Sequence, residues 1–367
     1  MTPRQRVAMA VAHEEPDRAP CDDSFWEDTL ARFRREGVPQ DVSPTDHFEF
    51  DIEHMHLDAS PRLPEKIIAE DDQTITAASR YGYSARKWKG RGGALHYFDH
   101  ASTTRQAWEV IKRRMVVDVD GQARIGKAFS IEPFENHPTW EAAASQFRKV
   151  AATDRYVLLG FYGPFEATWH HHGFEATLMD MMTDADWIAD MMKTYANLVC
   201  ATIERGWASG IRPDGVFLVE DLGTVKATTF SPDLFRSLLK PCHAQIFALA
   251  ARLGMARFMH SDGRIHALLD DLVDAGVQVL NPIDTGSGMD LMELKRRYGK
   301  RLALFGGISG RDMHDAAVCD ARINTQLPIA MRGGGYLFHS DHSVPPDVSL
   351  ERYREILQLV RRQHAAT

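Results

Sequence analysis

A rhythm that sets in near residue 155 constrains this chain more than any other feature. Short apolar or β-branched runs alternate with longer amphipathic stretches. The runs are Tyr156–Phe161, Gly215–Val219, Arg257–Met259, Val277–Leu280, Leu302–Phe305 and Gly335–Phe338. Between them lie helix-like segments such as Ser231–Leu253, Ile265–Ala275, Asp290–Tyr298 and Leu350–Gln363. Strand and helix in alternation predict parallel strands joined by crossover helices. With two or three earlier strands these runs make eight, the count of an α/β (β/α)8 TIM barrel. An open doubly wound sheet is the alternative. No G-x-G-x-x-G follows an early strand, which disfavours its dinucleotide-binding version.

The N-terminal part reads differently. Thr2 caps an expected helix, Pro3 suits its first turn, and Val7, Ala8 and Val11 supply an apolar face. Ala19-Pro20-Cys21 reads as the start of a short strand. Between about 60 and 105, LPEKIIAEDD, QTITAASRYGYSARKWKG and GGALHYFD read as short strands with turns at Gly82 and Gly90–Gly93. This predicts a small β-rich insertion in one barrel domain spanning 1–367, behind an N-terminal extension.

Charge narrows the partners. Lys and Arg number 43 against 51 Asp and Glu, a net charge of −8. That disfavours a nucleic-acid or anionic-membrane partner. No apolar run is long enough for a membrane span, and the charged opening MTPRQRVAMAVAHEEPDR does not read as a secretory signal. Cys21, Cys200, Cys242 and Cys319 show no C-x-x-C pairing, so they read as reduced thiols of a cytoplasmic protein.

Polar residues collect at the strand ends. Glu220 and Asp221 follow GVFLV. His260, Ser261, Asp262 and Gly263 follow RFM, and Asn281, Pro282 and Asp284 follow VQVL. Gly306 and Gly307 follow LALF, and His339, Ser340, Asp341 and His342 follow GYLF. In a β/α barrel these positions converge on the C-terminal face, where such folds place their chemistry. Two imidazoles and a carboxylate make a set for zinc, iron or manganese. A hydrogen-bonded polar cluster without metal, using His as acid and base, is the other reading.

Other motifs are less specific. His170-His171-His172 cannot all face one ion from a helix, so one is expected at the cleft and the others at the surface or in packing. Met179, Met181, Met182, Met191 and Met192 read as adaptable core packing. The glycine clusters lack the G-K-[ST] of a phosphate loop, and there is no G-x-S-x-G elbow.

Several segments resemble the uroporphyrinogen decarboxylase-like superfamily, in collinear order along nearly the whole chain. They are RQRVAMAVAHEEPDRAP, Gly163-Pro164-Phe165-Glu166, GFEATLMDMMTDADWIADMM, Glu220-Asp221-Leu222-Gly223 and Ser231-Pro232-Asp233-Leu234-Phe235. His260-Ser261-Asp262-Gly263 resembles an H-S-C-G element, and Val279-Leu280-Asn281-Pro282, Leu304–Ile308 and Gly333–Tyr336 match as well. The resemblance implies a (β/α)8 barrel with its site at the C-terminal mouth, and two chemistries: porphyrinogen decarboxylation or cobalamin-dependent methyl transfer. The decarboxylases carry an arginine-containing motif after the first strand. Here that region is Cys21-Asp22-Asp23-Ser24-Phe25-Trp26-Glu27-Asp28, whose four carboxylates would repel a polycarboxylate.

The thiol-alkylating zinc methyltransferases resemble the chain at His260, but their thiolate ligands correspond to Asp262 and His342. A His/Asp site is a harder Lewis acid and suits an oxygen leaving group. The resemblance thus implies the methyltransferase component of a corrinoid-dependent O-demethylase, with an aryl methyl ether as the favoured donor. The implied metal ligands are His260, Asp262 and His342, with zinc the favoured ion. His339 is the implied proton donor, and Glu220 and Asp221 complete or orient the shell. Phe161, Tyr162, Glu166, Trp169 and Asn281 are the candidate substrate contacts. No D-x-H-x-x-G corrinoid motif is present, so the corrinoid (cobalamin) is expected on a partner protein, with a homodimer also possible. A metal-independent decarboxylase or lyase acting on a small carboxylate or tetrapyrrole-like substrate is the alternative.

Overall fold

A computed structural model describes residues 1–93, 95–118, 121 and 139–364; Ala94, inside the expected insertion, lies outside them. Eleven strands are present among these residues. Seven form one parallel sheet in the order β1 (Ile52–His56), β6 (Tyr156–Tyr162), β7 (Gly215–Val219), β8 (Ala256–His260), β9 (Val279–Asn281), β10 (Ala303–Phe305) and β11 (Tyr336–Leu337). The order follows the chain, as in a sheet wound in one direction. This is an α/β fold with a curled, TIM-barrel-like parallel sheet. The segment around Cys21 touches both edges of it: the Asp22 amide donates to Phe338 O at 3.1 Å, and the Asp51 amide to Cys21 O at 2.8 Å.

The Asp51 side chain, fully buried, holds that segment in place. It accepts from Arg6 Nη1 at 2.6 Å, Arg18 Nη1 at 2.8 Å and the Cys21 amide at 2.8 Å. The N-terminal helix Pro3–Val11 carries the expected Thr2 cap. Its buried face is Val7, Ala10 and Val11 with the Arg6 guanidinium; Ala8, expected to be apolar-facing, is exposed.

The insertion is a four-stranded antiparallel sheet, β2 (Lys66–Glu70), β3 (Thr74–Ala78), β4 (Ser84–Trp88) and β5 (His96–Phe98). β2 is exposed throughout, while Tyr81, Tyr83 and Ala85 are buried. The sheet therefore presents one face to the rest of the molecule and leaves an edge to solvent.

Late elements match the expected rhythm with shifted ends. The single helix expected over Ser231–Leu253 is three pieces: a short turn Pro232–Leu234, a wider π-type turn Phe235–Leu239, and a helix Lys240–Arg252. Met181, Met191 and Met192 are core residues, but Met179 and Met182 are exposed. All four cysteines are unpaired, three of them buried. No helix among the described residues is long and apolar enough to cross a membrane.

What positions the site is strand parity. Side chains alternate across a strand, and the inner apolar cluster takes Ile52, Tyr156, Leu158, Phe217, Phe258, Val279, Phe305 and Leu337 from successive strands. Two residues further on, the same inward parity reaches His54, Val219, His260, Asn281 and His339. The apolar floor thus gives way, one layer up, to a ring of imidazoles.

Candidate active site

That polar layer lines a cavity of 410 Å³, walled by Phe217 and Phe305 and bordered by His54, His56, His260 and His339. A second, more open cavity of 560 Å³ lies beside it and includes Trp26, Asp262, Arg311 and His342. His260 and Asp262 stand where the two approach each other.

His260 ends β8. Its Nδ1 lies 2.7 Å from Asn281 Oδ1, and Asn281 is held by donating to Phe305 O at 3.3 Å. With Nδ1–H donating to Asn281, Nε2 is turned toward two carboxylates. It lies 3.7 Å from Asp221 Oδ1 and 3.8 Å from Asp262 Oδ2. Asp221, His260 and Asp262 each offer a ligand atom within 4.8 Å of the others. His342 joins from the far side, its Nε2 3.5 Å from Asp262 Oδ2, with its half-exposed ring stacked on Trp26. The residues expected as ligands, His260, Asp262 and His342, are therefore brought together around Asp262. Asp221 is the closer third member, with His342 one step out.

Electrostatically the carboxylates dominate the cluster. Burial alone would lower the His260 pKa, yet Asp262 and Asp221 more than offset it and hold the pKa above the ordinary value. Burial raises that of Asp262, and the Asp221 carboxylate adds to the shift. Asp262 Oδ1 is buried with no hydrogen-bond partner among the described residues. An unpaired buried carboxylate oxygen is costly. A bound cation would remove that cost, so the donor set fits a divalent metal.

Glu220, adjacent to Asp221, is elsewhere. Residues next to each other at a strand end point apart, and Glu220 is fully buried beneath the helix Pro164–His172. There it accepts from the Phe165 and Glu166 amides at the helix N-terminus and pairs with His243 Nε2. It anchors a helix and does not face either cavity. His339 faces the inner cavity, with Nδ1 2.6 Å from Ser340 O and 3.6 Å from Asp23 Oδ1.

Of the expected substrate contacts, Asn281 lines the inner cavity, while Phe161, Tyr162, Glu166 and Trp169 line neither. Phe161 has outward parity and belongs to the outer core. Tyr162 and Trp169 pack instead on His170, at 4.6 Å and 4.2 Å between ring centroids, together with Tyr81, Tyr83 and Tyr97 of the insertion. Glu166 accepts from Trp169 Nε1 at 3.0 Å; burial and the Asp221 charge hold its pKa well above the usual range. The three consecutive histidines are all buried, so none is at the surface. His171 stacks on Trp108, and His172 bonds Asp180 at 2.9 Å.

Two cavity residues escaped the sequence reading. His54 and His56 sit on β1, in Ile52-Glu53-His54-Met55-His56. Their spacing of two, after a buried Ile52, was the available signal. His54 Nε2 lies 2.8 Å from Asp22 Oδ2. Burial disfavours its charge, but Asp22 and Glu53 more than compensate and its pKa is raised. Burial and the neighbouring His54 push His56 down to about 4. The acidic stretch also differs from expectation. Asp22 pairs with His54, and buried Asp23 accepts from Tyr353 Oη at 2.8 Å and from Ser340. Lys87 sits 3.2 Å from Glu27. Three of the four charges thus meet internal partners, and a Coulombic repulsion of substrate by all four is not what this arrangement provides.

The sequence profile of the Uroporphyrinogen decarboxylase (URO-D) family matches residues 118–363, more than half of the chain. The chain belongs to the URO-D family. It is an enzyme of that superfamily. Among solved structures, a methyltransferase from Methanosarcina mazei is similar to this URO-D-family chain with a TM-score of 0.67. The two are 14% identical, and the match covers 98% of each chain. At that identity the likeness concerns the fold. A putative vitamin-B12 independent methionine synthase from Listeria monocytogenes is also 14% identical. The match covers 62% of this chain and 70% of that one, with a TM-score of 0.38. No curated protein matches the chain.

Proposed function

We propose that this protein is a methyltransferase that moves a methyl group from a small methylated substrate, an aryl methyl ether by preference, to the cobalt of a corrinoid carried by a separate protein. The observation that carries the reading is the Asp221–His260–Asp262 group with its unpaired Asp262 oxygen, poised between two cavities. These three residues, with His342, would hold a divalent metal, zinc by donor chemistry. When bound, such an ion supplies positive charge to an oxygen that is losing its methyl group.

The chain's own residues do the rest. Asn281 fixes the His260 ring so that Nε2 faces the carboxylates. Phe217 and Phe305 provide apolar walls for a flat ring and exclude water from one side of the reaction. The wider cavity gives room at the mouth for a partner to present its acceptor. No Lys or Arg lines the inner cavity among the described residues. A polycarboxylate would call for such groups, which favours methyl transfer over porphyrinogen decarboxylation.

The test measures demethylation of an aryl methyl ether such as 2-methoxyphenol, with reduced cobalamin as acceptor, on zinc-loaded enzyme. Wild type should turn over, and His260→Ala and His342→Ala should lose most of the rate. Full activity in both variants would remove the reading.

A further inference from the structure

The inner cavity holds a pair of residues that the metal cluster does not use. His54 enters from β1 with Nε2 tied to Asp22 at 2.8 Å. Its other nitrogen, Nδ1, has no hydrogen-bond partner among the described residues, and 31% of the side chain is open, on a ring that lines the cavity. Phe217 stands beside it, 5.7 Å between ring centroids. Asp22 itself is buried. A carboxylate behind one imidazole nitrogen and a free nitrogen in front, at the wall of a partly aromatic cavity, is the arrangement of a general acid or base.

We propose that His54, oriented by Asp22, is the proton donor to the substrate's aryl oxygen, and that the inner cavity is a binding site for a phenol whose hydroxyl meets His54 Nδ1. The reaction step rests on the methyl-transfer reading above; the binding site rests on the cavity alone. As the methyl carbon departs, both electrons of its C–O bond stay on oxygen. The His54 Nδ1 proton passes to that oxygen and gives a neutral phenol. The imidazole is left neutral, with Nε2–H still bonded to Asp22. The methyl carbon forms its new bond with the lone pair of the reduced corrinoid's cobalt. His339 has a comparable arrangement, Nδ1 on Ser340 O with Asp23 3.6 Å away, but only 10% of its side chain is open against 31% for His54, which makes His54 the better placed donor.

Other ionisable groups share this environment. Asp22 faces His54 from the loop after Cys21, Glu53 adjoins it along the strand, and His56 follows two residues on. Asp23, His260 and His339 line the same cavity. The test must therefore isolate His54 by substitution.

The probe is 4-nitrophenol, whose absorbance reports its ionisation, titrated with pH while bound to the full-length protein with and without zinc. In wild type the bound phenol should ionise about one pH unit below the free one, because an imidazolium beside it favours the phenolate. In His54→Gln that shift should vanish, read at phenol concentrations raised until the variant is saturated. Asp22→Asn should lose the shift as well, and it serves if His54→Gln does not fold. Absence of binding to wild type, or a shift that survives both variants, would overturn the proposal. So would a shift abolished by His339→Gln and retained in His54→Gln. A His54-dependent shift without methyl transfer would leave the site standing and remove only the reaction assigned to it. Methyl transfer without that shift would remove His54 as site and donor and leave only the methyl-transfer reading.

Discussion

Lowering the pH from 8 to 5 should weaken the fold through imidazoles that are buried neutral, and His171 is the clearest. It is fully buried, stacks on Trp108 at 5.3 Å with ring planes 12° apart, and has Nδ1 2.6 Å from Ser102 Oγ. Its Nε2 has no partner among the described residues. Burial, with smaller contributions from His172 and His100, pushes its pKa down to about 3. The folded pKa lies below the unfolded value, so the unfolded chain takes up a proton that the folded one refuses. Stability is full above about pH 6.5 and falls as the pH drops toward the folded pKa. At pH 5 the unfolded imidazole is about 1.5 units below its own pKa, so this one residue removes about 2 kcal/mol. His56, pushed down to about 4, removes a similar amount. Together they take a large share of an ordinary domain's stability of roughly 5–15 kcal/mol. Urea unfolding at pH 8, 6.5 and 5 checks this for wild type and His171→Gln. The variant should be less stable at pH 8, and the gap should close by about 2 kcal/mol at pH 5. A gap that does not change with pH would refute the reasoning.

Three further perturbations have definite outcomes. Gly263 sits at φ +89°, and a Cβ there would lie 2.4 Å from the Gly223 backbone; Gly263→Ala should cost about 2 kcal/mol and displace Asp262, read as a lower melting temperature and loss of bound zinc. Glu220→Gln should cost about 3 kcal/mol by breaking the buried pairing with His243. Retained stability on thermal melting would show that Glu220 does not anchor the helix Pro164–His172. Asp51→Ala strands Arg6 and Arg18 and should cost about 3–5 kcal/mol by denaturant titration, with the N-terminal segment becoming protease-sensitive first.

Much of the architecture was legible because alternation of apolar runs and amphipathic stretches is a local signal. The six late strands fall where the sequence places them, with ends moved by a residue or two. β1 was not recognised, since Glu53, His54 and His56 make it read as polar; beyond Ile52 its inward side chains, His54 and His56, are polar because they line a cavity. The meeting of His260, Asp262 and His342 was legible from their positions at strand ends, which a curled parallel sheet brings to one rim. Direction within each strand end was not. Glu220 and Asp221 are neighbours, yet one braces a helix and the other faces His260. Phe161 was assigned to the substrate, although counting by twos from Leu158 places it on the outer side. The acidic run Asp22–Asp28 reads as a field in sequence, because the partners of Asp22 and Asp23 come from β1 and from the C-terminal part of the chain.

Cobalt(II) substitution addresses the central claim most directly. Wild type should bind about one equivalent and show visible d–d bands of a low-coordinate nitrogen and oxygen site, and His260→Ala and Asp262→Asn should lose both. Bands of equal strength in those two variants, or no cobalt retained by the wild type, would contradict a metal site built on Asp221, His260 and Asp262.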